Sequence, residues 1–153
     1  MNHLTGEYNC KLDAKGRFRM PAGLLRQLGN GGTMEFTVHR GFEKNLNIYP
    51  QEVWDKKANE INQKLSVYKK KQRQVIRYFF RGATKVALDG ADRVLLPKGL
   101  IEHADLEKEV ILFAYRDIIE IWSKENYEKE LAQEPDNFDE VADEVFSDID
   151  GLM

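Results

Sequence analysis

The sequence predicts an α+β fold in which two tandem β-rich units are flanked by helices. The first observation is an internal repeat, since residues 6–28 align without a gap on residues 82–104 with seven identities in 23 positions. The second is a matching pair of apolar segments downstream, Leu46–Tyr49 and Ile119–Trp122. The third is the polar stretch 51–81, whose apolar residues have helical spacing. The ordered matches indicate a duplicated unit of about 50 residues.

Each unit begins with two short strands that a tight turn connects. We predict these strands at Tyr8–Leu12 and Arg17–Met20 in the first unit and at Ala83–Leu88 and Arg93–Leu96 in the second. Asp13 and Asp89 open the turns, where an aspartate can accept hydrogen bonds from the backbone two residues on. Gly16 and Asp92 close them, and both residue types tolerate the positive φ that such a turn requires. Asp13, Gly16 and Asp89 are therefore the candidate structural residues of the turns.

A short helix and two further strands complete each unit. Pro21 and Pro97 stand at the predicted first position of the helix, where a missing N–H costs little. The strands that follow are predicted at Met34–His39, Asn45–Tyr49, Val110–Tyr115 and Ile118–Trp122. The same order of elements in both copies agrees with a duplication.

The rest of the chain is predicted to be helical. Two helices are expected at Gln51–Gln63 and Ser66–Arg81, and the aromatic end of the second, Tyr78–Phe80, is expected to pack into the core. Ser123 is a good N-cap for a last helix that ends near Leu131. The predicted division is a first unit at 1–50, a helical insert at 51–81, a second unit at 82–131 and a flexible acidic tail at 132–153.

The charges of the chain are unevenly distributed. Residues 134–153 contain eight acids and no Lys or Arg, which leaves 23 bases and 18 acids in residues 1–133, a net charge of +5. This asymmetry points to a polyanion partner, or simply to a solvated surface with a solubilising tail. The tail has apolar residues at spacings of three and four, at Phe138, Val141, Val145 and Ile149. It is either a short amphipathic helix or a segment that stays disordered until it meets a partner.

Several kinds of active site are missing from the sequence. Cys10 is the only cysteine, so an intrachain disulfide is excluded and its expected role is that of a small strand residue. The three histidines lie far apart and do not have metal-ligand spacing. A phosphate-binding loop and a nucleophile elbow are absent as well. We therefore expect no enzymatic activity, no cofactor and no small-molecule substrate.

The sequence also gives an expectation about location. No stretch has the length of a membrane span, and the first residues lack the basic and apolar regions of a secretory signal. A single thiol suits a reducing compartment. We expect a cytoplasmic protein with no membrane partner.

The most specific feature is a repeated Asp-x-x-x-Arg motif, each copy ending four residues before a proline. The motif reads Asp13-Ala14-Lys15-Gly16-Arg17 in the first unit and Asp89-Gly90-Ala91-Asp92-Arg93 in the second. Leu46–Pro50, Arg77–Ala83 and Ile119–Ser123 accompany it. With these segments the chain resembles the MraZ family of bacterial transcriptional regulators over residues 1–131.

This resemblance implies a fold and a function. MraZ-like chains are similar to two AbrB-type (SpoVT-AbrB) swapped-hairpin units, which interlock into a small pseudo-two-fold barrel with helices around it. Family members form ring-shaped homo-oligomers, bind repeated short boxes of promoter DNA and repress the division and cell wall gene cluster. They are cytoplasmic and associate with the nucleoid. Double-stranded DNA and further copies of the chain are therefore the expected partners.

The first Asp-x-x-x-Arg turn is the predicted DNA-binding site. Lys15, Arg17 and Arg19 cluster there, where they can neutralise phosphates or contact guanine. Arg17 and Arg19 share one face of their strand because side chains alternate along it. A salt bridge to Asp13 is the alternative role of Arg17, and the two roles are compatible.

Arg93 is a fourth DNA-binding candidate, by its equivalence to Arg17. Its surroundings differ from those of Arg17. Ala91 and Leu95 stand where the first unit has Lys15 and Arg19, and Asp92 stands where it has a glycine. We predict that the first unit recognises DNA and that the second mainly completes the barrel and the ring.

Other charged segments and other functions remain open at this level. The basic run Lys69–Arg73 is either a solvated helix face or a source of further phosphate contacts. The acidic tail either competes with DNA for the basic face or docks on a neighbouring subunit. The alternatives to a regulator are an oligomeric interaction scaffold without specific DNA binding, an antitoxin-like AbrB regulator, and an enzyme for an anionic substrate.

Overall fold

The computed structural model describes residues 3–29, 34–133 and 137–148, which form eight strands and six helices. The strands are β1 (Leu4–Lys11), β2 (Arg17–Arg19), β3 (Glu35–Arg40), β4 (Leu46–Pro50), β5 (Thr84–Ala87), β6 (Arg93–Leu95), β7 (Glu109–Arg116) and β8 (Ile118–Ser123). The helices are α1 (Ala22–Leu28), α2 (Gln51–Lys64), α3 (Lys70–Phe80), α4 (Lys98–His103), α5 (Lys124–Ala132) and α6 (Phe138–Ser147). Over the residues described, none of these helices is long and apolar enough to cross a membrane.

The strands form two antiparallel sheets that interlock the two units. Six strands have the order β1-β7-β8-β4-β3-β5, while β2 pairs with β6 alone. The first strand of each unit pairs with the other unit, β1 with β7 and β5 with β3. Because β1, β3 and β4 correspond to β5, β7 and β8, the order is the same from either edge. The predicted α+β class with two tandem swapped units is confirmed.

One core lies between the six-stranded sheet and the β2–β6 pair, which we call the ribbon. Phe18 and Val94, at the centre of the ribbon, are 1% and 0% exposed. Leu24 of α1 and Leu100 of α4 enter the same cluster, with alternate residues of the large sheet. Contacts of β1 with β2 and of β5 with β6 join the two sheets around this core. The apolar cluster that spans both units therefore holds the ribbon in place.

The other face of the six-stranded sheet is covered by helices. Trp54 of α2 packs on Tyr49, and Phe79 of α3 stacks on Trp54 with ring centroids 5.4 Å apart. On the other half of the sheet, Tyr127 of α5 packs against Trp122. Helices α2, α3 and α5 thus lie on one side of the sheet, which we call the helical side, and the ribbon lies on the other side with α1 and α4.

Strand β1 is longer than the sequence indicates. It begins at Leu4, whereas the predicted start was Tyr8, and it pairs with β7 from Leu4 opposite Arg116 to Lys11 opposite Glu109. Polar residues and a glycine at the start of β1 hide the strand in the sequence. The hydrogen bonds of its partner, which is distant along the chain, supply what local propensity does not.

Two predictions about helix starts were wrong by small amounts. Pro21 and Pro97 are N-cap residues rather than first helical residues, with ψ angles of 143° and 141°. Their carbonyl groups accept the first helical hydrogen bonds, so proline still suits the position. The predicted cap at Ser123 is confirmed, because its Oγ accepts a hydrogen bond from the backbone N–H of Asn126 at 3.0 Å.

Helix α3 begins at Lys70 rather than at the predicted Ser66. The residues before it turn back on the helix, because the guanidinium of Arg73 donates to the carbonyl oxygen of Val67 at 2.9 Å. The expectation for its aromatic end was right in part. Phe79 and Phe80 pack against the α2 cluster, but Tyr78 is 57% exposed.

The acidic tail contains a helix, as one of the two predicted alternatives has it. Helix α6 presents Phe138, Val145 and Phe146 as exposed apolar residues beside its acids. Ile149, the last residue of the predicted apolar pattern, lies outside the described residues, as do residues 134–136 and 150–153.

Candidate nucleic-acid interface

The two Asp-x-x-x-Arg segments form turns with the same hydrogen bonds. In the first, Asp13 Oδ1 accepts from the backbone N–H groups of Lys15 at 3.0 Å and Arg17 at 2.9 Å. Asp13 Oδ2 accepts from Arg17 Nε at 2.8 Å. In the second, Asp89 binds the backbone N–H groups of Ala91 and Arg93 at 2.9 Å and Arg93 Nε at 2.9 Å. Each aspartate therefore fixes both the backbone of its turn and the guanidinium of its arginine.

The backbone closes each turn in the predicted way. The N–H of Gly16 donates to Asp13 O at 3.0 Å, and that of Asp92 donates to Asp89 O at 3.0 Å. Gly16 has a φ of 86° and Asp92 a φ of 59°, so both closing residues take the left-handed conformation that was predicted for them.

The same contacts keep the two carboxyl groups ionised. The backbone N–H of Arg17, above all, holds the pKa of Asp13 below its ordinary value, and the Arg17 side chain adds to this effect. The backbone N–H of Arg93 does the same for the pKa of Asp89. Hydrogen bonds to a carboxylate favour its charged form, so each arginine has an anionic partner under ordinary conditions.

The ribbon gathers arginines from both units on one face. In its register Arg17 is opposite Leu95, Phe18 opposite Val94, and Arg19 opposite Arg93. Since Phe18 and Val94 point into the core, the outer face carries the other four side chains. We call Arg17, Arg19 and Arg93 the arginine face. Like charges directly opposite each other on a sheet are unfavourable, so this face suits an anionic partner.

The pairing of β2 with β6 was not predicted, and it changes how Arg93 is viewed. The sequence places Arg93 far from the first turn, but the structure places it directly across from Arg19. The two turns lie at opposite ends of the ribbon, because the backbone N–H of Leu96 donates to Gly16 O and that of Met20 donates to Asp92 O. Residues of both units therefore share the outer surface of the ribbon.

The surroundings of the two turns are nevertheless unequal. Lys15, at the tip of the first turn, is exposed and has Ala91 as its counterpart. Arg19 has Leu95 as its counterpart, which is 56% exposed. Since Arg19 is opposite Arg93, it lies at the end of the ribbon that carries the second turn, and Leu95 lies at the end that carries the first.

A groove beside the first turn brings in two lysines that the sequence analysis missed. This groove, of about 840 Å³, lies between the first turn, β5 and α4, and Lys85 and Lys98 line it together with Lys15. Isolated lysines on separate elements have no sequence signal of their own, so only the fold brings them together. They add two bases to the residues around the groove beside the first turn.

The basic run at Lys69–Arg73 does not belong to this surface. It forms the start of α3, which packs by Phe79 and Phe80 on the helical side of the six-stranded sheet. The ribbon lies on the other side. Whatever the run binds, it does so away from the arginine face.

Groups suited to catalysis are not assembled in the described residues. Those residues contain no cluster of three or more His, Cys, Asp or Glu that could hold a metal ion. Cys10 is half-buried in β1, and burial raises the pKa of its thiol to about 11, which disfavours the nucleophilic thiolate. His39 lies among Tyr49, Trp54 and Phe79, and burial lowers the pKa of its imidazole. The burial of Cys10 and His39 is typical of residues with a structural role.

Comparison with known proteins adds a family and several relatives. The family "MraZ protein, putative antitoxin-like" matches residues 3–78 and 79–149. A protein of Christiangramia forsetii named Transcriptional regulator MraZ is 39% identical over 158 aligned positions, covering 99% of both chains. Proteins of the same name from Flavobacterium psychrophilum and Leuconostoc citreum are 37% and 38% identical. They cover 97% and 90% of this chain, and the alignments span 95% and 93% of their own lengths.

Proposed function

This chain belongs to the MraZ family, and from that membership we propose that it is a DNA-binding transcriptional regulator. We propose further that it is a repressor of the division and cell wall gene cluster and recognises repeated boxes in promoter DNA. It acts in the cytoplasm, at the nucleoid. The name that its relatives carry describes regulation of transcription rather than a catalysed reaction.

The observation that carries the proposal is the arginine face of the ribbon. A two-stranded β-ribbon fits the major groove of B-DNA, and arginine is the residue that most often contacts guanine there. Asp13 occupies Arg17 Nε, and Asp89 occupies Arg93 Nε. Within the described residues the terminal nitrogens of both guanidinium groups make no hydrogen bond. The two terminal nitrogens of each guanidinium group can therefore donate together to O6 and N7 of one guanine. The aspartate has already fixed the orientation of that group.

The other basic residues have a less specific role in this proposal. Lys15 neutralises phosphates beside the first turn and Arg19 does so at the other end of the ribbon, while Lys85 and Lys98 extend the contact of the first turn along its groove. Phosphate contacts release condensed counterions, so they raise affinity for any DNA and make it depend on salt. Specificity rests on Arg17 first and on Arg93 second.

Repeated boxes give a reason for assembly. One ribbon offers only a few contacts, so each site binds weakly. A ring of copies binds a DNA with regularly spaced boxes far more tightly, because each binding event raises the effective concentration of the next site. In this arrangement units 1–50 and 82–131 build the ribbon, while the insert 51–81 and the tail 132–153 are free for other contacts.

Fluorescence anisotropy with the full chain tests the proposal. The probes are DNA from upstream of the protein's own gene and a scrambled DNA of the same length, each at low and moderate salt. We expect tighter binding to the native DNA and a steep loss of affinity with salt. Arg17→Ala removes the preference for the native DNA, whereas Lys56→Ala, on α2 at the helical side of the sheet, leaves it intact.

Equal binding to both DNAs would contradict the proposal. In that case the function that remains is an oligomeric interaction scaffold, for which the exposed helices α3 and α6 are the evident surfaces. A loss of preference in Lys56→Ala equal to that in Arg17→Ala would remove the ribbon from its central place.

A further inference from the structure

Helix α3 presents a basic surface that the described part of the chain leaves exposed. Its C-terminal end is held by Phe79 and Phe80, yet no residue of the helix is fully buried. Val75 and Tyr78 are 55% and 57% exposed. Because residues 71, 75 and 78 lie on one helical face, Lys71 shares this face with both of them. The result is an exposed apolar strip with Lys71 at its N-terminal end, and the exposed ring of Phe42 stacks on Tyr78 at its other end with ring centroids 6.4 Å apart.

The charges of α3 are arranged against the stability of the helix itself. Its bases are Lys70, Lys71, Arg73 and Arg77, and it contains no acid. Two of the lysines lie in the first turn, where the helix dipole favours negative charge. An acidic partner at this end would remove the unfavourable interaction.

Helix α6 has the complementary properties. It carries Asp139, Glu140, Asp143 and Glu144, followed by Asp148, and no base. Phe138 and Val145 lie on one face, 54% and 50% exposed, and Phe146 beside them is 41% exposed. Among the residues that the structure describes, the side-chain hydrogen bonds of the segment 137–148 stay within it, from Asn137 to Glu140 and from Ser147 to the carbonyl oxygen of Glu144. Over the described residues, no ion pair joins α6 to the rest of the chain.

We propose that α6 of one copy of this chain docks on α3 of a second copy. The exposed apolar strip of α6 meets Val75 and Tyr78, and its acids face the bases of α3. The charge complementarity of these two uncovered helices selects a second copy as the occupant, because every copy carries both partners. This inference rests on the proposed function only in naming the contact through which the regulator assembles.

The described contacts do not join the two helices within one chain. Helix α3 packs in the cluster around Tyr49 and Trp54, whereas α5, which precedes α6 in the sequence, packs in a separate cluster around Trp122. The structure records no hydrogen bond or ion pair between α3 and α6 of one chain. Since the two docking surfaces differ, each copy offers one of each to its neighbours. Such head-to-tail contacts generate a closed ring or an open filament, according to the rotation between copies.

Charge reversal of the full chain tests this contact. One variant is Lys70→Glu/Lys71→Glu in α3, and the other is Glu144→Lys/Asp148→Lys in α6. Both place charges where the helix dipole favours them, so neither weakens its own helix. The matched controls are Lys56→Glu/Lys108→Glu and Glu102→Lys/Glu107→Lys, which change exposed residues elsewhere by the same total charge.

The readout is the molar mass from light scattering after size exclusion, over a range of protein concentrations. We expect the protein concentration at which half of the protein is assembled to rise by at least about tenfold in each reversed variant, because like charges then face each other. An equimolar mixture of the two reversed variants, in which each contact regains opposite charges, returns to the mass of the unaltered protein. The controls keep that mass throughout.

Three results would overturn the inference. Reversed variants that keep the unaltered mass would show that the helices do not meet, and unchanged preference for native DNA in the same samples would leave the proposed function standing. A mixture that fails to reassemble would show that α3 and α6 have different partners. An α3 variant that assembles normally but binds DNA less tightly would assign α3 to phosphate contact instead.

Discussion

The two units of the chain differ in the chemistry of their turns far more than in their geometry. Asp13 holds Arg17 Nε at 2.8 Å and Asp89 holds Arg93 Nε at 2.9 Å, each with the same pair of backbone hydrogen bonds. Apart from these two arginines, the outward side chains differ, since Ala91 and Leu95 stand where the first unit has lysine and arginine. Because the turn is built by its aspartate and its closing residue, the outward residues contribute little to the fold and are free to differ.

This separation assigns different tasks to neighbouring residues. Along β2, Phe18 fills the core while the arginines on either side of it face outward. Stability and recognition therefore depend on alternate positions of the same short strand. The comparison of equivalent positions in the two units can separate these tasks experimentally.

The largest effect is expected in the core of the ribbon, at the equivalent positions of Phe18 and Val94. Phe18→Ala should lower the free energy of unfolding by about 3–5 kcal/mol, since the removed ring leaves a cavity. Val94→Ala removes two methyl groups and should cost about 2 kcal/mol. Urea unfolding at one fixed protein concentration measures both. Equal and small losses would mean that the ribbon is not anchored through this pair.

The arginines should give the next largest effect, on DNA affinity. Arg17→Ala should weaken binding to native promoter DNA by about 1–3 kcal/mol, the usual value of a bidentate contact to guanine. Arg93→Ala should cost less, because the second turn has Ala91 at its tip instead of a lysine. Anisotropy titrations on one short duplex make the comparison free of avidity. Equal losses would mean that both ends of the ribbon recognise bases, contrary to the predicted division of roles.

The closing residues of the turns should differ by about 1 kcal/mol in stability and in opposite directions. Gly16→Ala places a side chain at a φ of 86°, with its Cβ 2.8 Å from Ile101 Cδ1, so it should destabilise the fold. Asp92→Gly removes the strain of a non-glycine residue at a φ of 59°, so it should stabilise the fold. The higher conformational entropy that glycine gives the unfolded chain offsets part of this gain. Thermal unfolding of the two variants checks the signs. A stabilised Gly16→Ala variant would contradict the turn geometry.

Much of this comparison could be predicted from the sequence, because the turns are local structures. The residue type and spacing of Asp13 and Asp89 predict where the turns begin. Gly16 and Asp92 predict where they close, because both residue types tolerate a positive φ. Their hydrogen bonds connect residues no more than four apart.

The features that the sequence alone could not predict depend on contacts between segments that are distant along the chain. The pairing of Arg19 with Arg93 and the early start of β1 at Leu4 both arise from strands of the other unit. Resemblance to a family implied the interlocking, but no local pattern states which unit supplies a strand's partner. Lys85 and Lys98 were missed for the same reason, since the groove that joins them to the first turn exists only in the folded chain.

The helical side of the sheet offers a smaller, pH-dependent contrast between the units. His39 is buried and bonded through Nδ1 to Phe79 O at 3.0 Å, and by strand register Phe113 is its equivalent. Burial lowers the pKa of His39 below its ordinary value of 6.5. As pH falls below 6.5 the unfolded chain gains a proton before the folded chain does, so stability decreases until the folded imidazole is protonated. Unfolding midpoints across this range should lose part of their slope in His39→Phe, and an unchanged slope would contradict this origin.

The smallest expected difference is between the two turn aspartates themselves. The pKa of each is lowered, chiefly by a backbone N–H, so the unfolded chain binds protons more readily than the folded one as pH falls below the ordinary value of 3.8. The contribution of each turn to stability is complete above that value and is lost on the way down to the folded pKa. Asp13→Asn and Asp89→Asn should therefore flatten the acid limb of stability by similar amounts. Unequal flattening would mean that the basic residues beside the first turn also act on its carboxylate, and that recognition and stability are coupled at that end of the ribbon.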